Sequence, residues 1–291
     1  MREEVMLFIR GMLARAYPRV AMLRRAPTWI VQETVLPVLA TAAFAYVYRA
    51  MHAPERFIGY VILGGAMTAF WLNVLWSMGS QFYWERDSGN LELYIISPAP
   101  LMAVLAGMAL GGITLTFMRA SAILLTGSLL FGVQFSLGNW PAVAGVFLLT
   151  LLALYGLGMI FASVFLMWGR EAYHLVNLLQ EPVYLLSGVN FPVKVLSSAV
   201  ASAAAVIPLT LGMDALRQLL FAPLTEEASG AAGGGAMLSV AARLGDGLFP
   251  VWLEAVLLAI LAVVYIAIAK RCLDLLEYRA RIEGRLTVRW Q

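Results

Sequence analysis

The chain holds one cysteine, Cys272, and two histidines, His52 and His174, in 291 residues. A lone thiol cannot close an internal disulfide. With only two histidines, on opposite sides of the expected topology, neither a metal cluster nor a Ser/His/Asp hydrolase can be assembled. Charge is scarce as well: Asp, Glu, Lys and Arg make up 13% of the residues. There is no G-x-x-x-x-G-K-[ST] phosphate loop and no G-x-G-x-x-G after a strand. No polar segment is long enough for a nucleotide-binding fold, because the longest, Ala222 to Phe249, is a Gly/Ala-rich loop. The chain alone cannot hydrolyse ATP and is expected to hold no cofactor or metal.

What is abundant is apolar surface. Hydrophobic residues make up 62% of the sequence, and the mean hydropathy is +0.82, far more than one soluble core can hide. The excess falls into six blocks: Trp29 to Tyr48, Phe57 to Phe82, Leu101 to Phe131, Pro141 to Trp168, Ala172 to Gly188 and Pro250 to Ala269. Each is expected to cross a ~30 Å hydrocarbon layer as a helix. The pattern predicts an all-α integral membrane protein with one transmembrane domain: an interface segment at 1–27, six spans within 28–269, and a tail at 270–291. A further stretch, Pro192 to Phe221, is interrupted by Pro208, Gly212, Asp214 and Arg217. It reads as a re-entrant hairpin between spans five and six that turns back under cover of neighbouring protein.

Basic residues set the expected orientation. With both termini inside, fourteen Lys and Arg lie on the inner side and five on the outer, leaving Arg119 within a span. Both termini are therefore expected in the cytoplasm and the chain in a cytoplasmic membrane. The net charge of +3 follows from this asymmetry and implies no nucleic-acid partner. In the first 27 residues, Val5, Phe8, Ile9, Met12, Leu13 and Ala16 recur at helical spacing opposite Glu3, Glu4, Arg10 and Ala14. This is the pattern of an amphipathic interface helix rather than of a cleavable signal, serving either as a lipid anchor or as a partner contact.

The polar interruption at 84–100, WERDSGNLELYIISPAP, stands between two apolar runs. Asp87, Ser88 and Asn90 around Gly89 are expected to cap a short helix from about Leu91, with Glu92 in its first turn, and Ser97-Pro98 to end it. Leu91, Tyr94 and Ile95 would share one face. A bare connecting loop has no need of a Tyr-Ile-Ile run, so a docking surface is expected here. Arg119, deep in the third block, calls for a partner or a watery cavity; Glu33, Glu181 and Glu254 are the candidate acids, in a structural pair or a substrate site. Gly64-Gly65, Gly107 with Gly111, and Gly156 with Gly158 suit close helix packing first and a conduit lining second. Trp71, Trp76, Trp84, Trp140, Trp168 and Trp252 suit an aromatic belt.

The run Trp84-Glu85-Arg86-Asp87-Ser88-Gly89-Asn90-Leu91-Glu92-Leu93, followed by Ser97-Pro98, resembles the "R-E-x-G-T-L-E-x-L … [ST]-P" elbow of ABC-2 type transporter permeases, with Asn90 where Thr is usual. Ser187-Gly188-Val189-Asn190-Phe191-Pro192, Ile207-Pro208-Leu209-Thr210 and Met213-Asp214-Ala215-Leu216-Arg217 are similar to that family's outer hairpin, and Ala280 to Leu286 to its tail. The resemblance implies a half-size exporter of two permease copies, each with a separate ATPase subunit that binds ATP and Mg. It makes the elbow a coupling helix in which Glu85, Arg86, Asp87, Leu91, Glu92 and Tyr94 meet the ATPase. It is specific to the family, not to a substrate: lipids, glycans and drugs are all carried by relatives. The alternative class, an ion-coupled secondary transporter or channel without an ATPase, predicts inverted repeats with matched midplane acids. Glu33 has no such counterpart. A membrane-embedded transferase would need clustered acids or histidines facing one leaflet, and none is visible.

Overall fold

The computed structural model describes residues 2–25, 27–136, 138–168, 171–221 and 247–283. Most of the Ala222 to Phe249 loop, Arg170, the tail beyond Glu283 and the side chain of Glu92 lie outside that description. All regular structure among the described residues is helical, as an apolar chain that must satisfy its own backbone requires. In chain order the elements are α1 (Arg2–Arg25), α2 (Pro27–Ala50), α3 (Glu55–Leu72), a π-helical segment (Asn73–Gly79), α4 (Gln81–Asp87), α5 (Asn90–Ile96), α6 (Leu101–Phe131), α7 (Trp140–Trp168), α8 (Glu171–Leu186), α9 (Ser198–Ala204), α10 (Pro208–Leu220) and α11 (Val251–Glu283).

Among the described residues, five stretches are long and apolar enough to cross a membrane: Ile30–Ala50, Glu55–Asp87, Leu101–Phe131, Trp140–Trp168 and Val251–Leu276. The expected count of six is not reached by length. The block Ala172 to Gly188 becomes α8, whose 16 residues rise about 24 Å, short of a full hydrocarbon layer. Each end of α8 has its own contact. Tyr173 stacks on Trp76 beside α4, and just past the other terminus the Asn190 carbonyl accepts a 2.9 Å bond from Tyr48 Oη at the end of α2.

The 55–87 stretch is the buried centre, with Ile62, Phe70, Trp71, Val74, Met78 and Phe82 almost wholly enclosed. Trp71 is thus a core residue and not part of a belt, whereas Trp140, Trp168 and Trp252 at helix ends are exposed. α1 lies along α6 at the elbow end of the bundle, and α7 packs between α10 and α11. The α1–α6 contact depends on Gly107 and Gly111: a Cβ at Gly107 would strike the Met12 carbonyl, and one at Gly111 would sit 2.9 Å from Arg19 Cβ. Gly64 against Val189 and Gly156 against Tyr265 are likewise packing contacts.

Residues 192–221 form two short helices. Tyr265, well along α11, donates 2.7 Å to the Val206 carbonyl between them. α10 ends where Ser136 N donates 2.8 Å to Leu220 O, and it is buried along nearly its whole length.

Candidate functional site

At the elbow, α4 and α5 meet at Gly89, whose φ of 79° is the left-handed value a side chain resists. α5 starts at Asn90, one residue before the expected Leu91, and by a different device: no side chain caps it. Ser88 Oγ instead donates back to Trp84 O at 2.7 Å, and Asn90 Nδ2 donates to Glu85 Oε2 at 3.0 Å. Ser97, extended, ends the helix and accepts from Ala99 N at 3.0 Å.

Glu85 is the hub of this corner. Its Oε1 pairs with Arg15 of α1 and accepts from Gln81 at 3.0 Å; its Oε2 accepts from Asn90 and, at 3.3 Å, from Tyr94 Oη. Burial pushes the Tyr94 phenol above its ordinary pKa, with Arg15 opposing, so at neutral pH it remains the donor to Glu85. The expected contact surface must be redrawn accordingly. Glu85 is only 6% exposed and Leu91 1%, because both fasten the elbow from within. Arg86 is half-buried, donating 3.3 Å to Leu166 O of α7. Asp87 faces outward with Trp84, Leu93 and Ile96.

A second arginine of α1 reaches the irregular part of the central helix. Arg19 donates to Ser77 O at 2.6 Å, to Gln81 Oε1 at 2.8 Å and to Met108 O at 3.2 Å. A π-helical turn leaves main-chain carbonyls out of the usual i→i+4 pattern, and a guanidinium with several donors is suited to take one up. Burial lowers the pKa of Arg19, with Arg15 adding to the effect. At the start of the same segment Asn73 Nδ2 donates 2.6 Å to Tyr155 Oη of α7 inside the core. Sequence reading missed Arg15, Arg19, Asn73 and Gln81. The available signal was that Arg15 and Arg19 share a helical face with Phe8, Met12 and Ala16. That face packs on α6, while Val5, Ile9 and Leu13, expected on it, remain exposed.

Of the three acids weighed for Arg119, the structure selects Glu33 of α2. Glu181 is exposed on α8, and its carboxylate accepts at 3.4 Å from neighbouring Gln180. Glu254 is wholly buried at the start of α11.

The hairpin motifs converge. Arg217, 1% exposed, donates to Phe191 O at 3.1 Å, Val189 O at 3.0 Å and Tyr60 O at 3.2 Å, and its guanidinium lies 4.9 Å from the Tyr60 ring. Pro208 begins α10 at a position that needs no amide hydrogen, and Pro192 precedes a short 3-10 turn at Val193–Val195. Asp214 accepts from Leu248 N and from Gln218 at 3.2 Å. Gln218 also reaches Phe249 O at 2.9 Å and Glu254 at 3.3 Å. These contacts tie α10 to α3, to the turn after α8 and to α11. No group of three metal-ligating side chains occurs among the described residues.

Comparison with protein families matches residues 12–221 to the ABC-2 type transporter family. That interval takes in the elbow and the hairpin, and runs from the packed half of α1 to the end of α10. A search of curated proteins returns no match.

Proposed function

Because the chain belongs to the ABC-2 type transporter family, and is a multi-pass membrane component of that kind, we propose that it is the permease subunit of an ATP-driven exporter in a cytoplasmic membrane. It has both termini inside and works as two copies with a separate ATPase subunit that holds ATP and Mg. In this reading α8 makes the sixth crossing and residues 192–221 form a re-entrant hairpin covered by α3, α7 and α11. The cargo is an amphiphile of the lipid, glycan or drug kind.

The observation that carries the proposal is the elbow. It presents exposed Trp84, Leu93 and Ile96 beside Asp87, while Glu85 clamps its inner side to α1, α4 and α5. A push received on the outer side would thus reach the central 55–87 helix and α1 together. Apolar groups there would supply most of the affinity for the ATPase, and Asp87 and Arg86 its orientation. Glu92 and Tyr94 remain assigned to the same contact.

The test is affinity purification of the intact protein from its native membrane, followed by ATPase assays on what co-purifies. A nucleotide-binding subunit is expected, held by the wild type and lost from Leu93→Ala with Ile96→Ala. Retention of the subunit by that double variant would move the contact elsewhere. Purification without any ATPase, with unaided ion flux in vesicles, would overturn the reading.

A further inference from the structure

We propose that the cavity between α2, α3 and α8 binds a lipophilic cation, with Glu181 as its counter-charge. The proposal deepens the transport reading, on which its meaning as a cargo site rests, by naming a class of molecule. The cavity measures about 520 Å³ and is bordered by Leu36, Ala40 and Phe44 of α2, Thr68 of α3, and Glu181 and Tyr184 of α8. That is the size of a small-ligand pocket, ~300–1,000 Å³.

Its walls are mostly carbon, interrupted by Thr41, Thr68, Glu181, Asn190 and the Tyr184 phenol. The Thr68 hydroxyl is buried and has no hydrogen-bond partner. The Glu181 carboxylate, two-thirds of the way along α8, is exposed and meets no cation in the described residues. Arg119, buried in the third apolar block, is committed to Glu33. A carboxylate on the wall of a mostly apolar cavity offers an incoming ligand a counter-charge. A cation with a bulky apolar body answers both features, since its charge meets Glu181 while its body fills the space between Leu36, Phe44 and Tyr184. The rings of Phe44 and Tyr184 add faces that attract a delocalised positive charge. An anion of the same shape would be repelled.

The test uses the full chain in phosphatidylcholine nanodiscs, with empty discs subtracted, and two probes of equal shape and opposite charge, tetraphenylphosphonium and tetraphenylborate. Saturable binding of tetraphenylphosphonium alone is expected, weakened about tenfold or more in Glu181→Gln and blocked in Ala40→Trp. Ala40 is exposed, so a ring there enters the cavity without displacing the core. Equal affinity in wild type and Glu181→Gln, or binding of tetraphenylborate as tight as that of the cation, overturns the proposal. Adding phosphatidylethanolamine should leave binding unchanged; its loss would give the site to a lipid amine headgroup and overturn the assignment to a free amphiphile. The complex with its ATPase is scored separately. A cation that binds without stimulating ATP turnover leaves the site standing and counts against the transport reading, whereas an active complex without cation binding sinks the site alone.

Discussion

Glu85 accepts four hydrogen bonds on two oxygens, from Arg15, Gln81, Asn90 and Tyr94. A carboxylate so enclosed is a fastening, and its removal strands the positive charge of Arg15, whose side chain is 17% exposed. Breaking one side of a buried pair costs about 3 kcal/mol, against about 0.5 kcal/mol for a pair in water. Glu85→Ala is therefore expected to lower stability strongly, Arg15→Ala somewhat less, and the double variant by clearly less than their sum. Unfolding in mixed micelles measures all three, and strict additivity would show that the two groups do not interact. The sequence picked out Glu85 by type but assigned its role to the surface, since a polar run looks alike whichever way its members point. Arg119 was legible as a residue needing a partner. Three acids in three different spans could not be ranked until the folded helices set Glu33 beside it.

Among the elements, α1 is the one whose role the sequence understated. Helical spacing of apolar residues was visible, but packing follows the Phe8, Met12 and Ala16 stripe together with Arg15 and Arg19, because α6 offers a groove at Gly107 and Gly111. The long blocks were read correctly because an apolar run of that length has few other structures open to it. α8 and the hairpin were harder, since a sequence shows their breaks but not their depth, and the π-helical segment at Asn73–Gly79 leaves no local signature. A single β-branched residue in the groove tests the contact. Gly107→Val would put its Cβ against the Met12 main chain, where only movement of a whole helix relieves the clash. Stability is expected to fall by about 1–3 kcal/mol, and protease cleavage after Arg10 or Arg15 to quicken as α1 lifts. If cleavage stays slow while stability falls, strain has spread into α6 and α1 is not held by this groove.

For the whole molecule, the question is which parts move together when the elbow is pushed. Arg15–Glu85 joins α1 to α4, and Arg19 joins α1 to the π-helical segment and to α6. Asn73–Tyr155 joins that segment to α7, and α7 packs against the hairpin helix where Gly212 meets Thr150. This chain of contacts runs from α1 through the elbow and the central helix to α7 and α10. Gly11 lies against Ala99 just past the elbow, where a Cβ on the glycine would approach the Ala99 Cβ at 2.8 Å. Cysteines at both positions, with Cys272→Ser removing the native thiol, are expected to cross-link after a small outward shift to disulfide distance. If α1 and the elbow are one body, the oxidised protein assembled with its ATPase keeps its substrate-stimulated turnover, and reduction changes little. Turnover that collapses on oxidation and returns on reduction would show that α1 slides against the elbow during each cycle. The Arg15–Glu85 pair would then be a contact that breaks during transport instead of a permanent clamp.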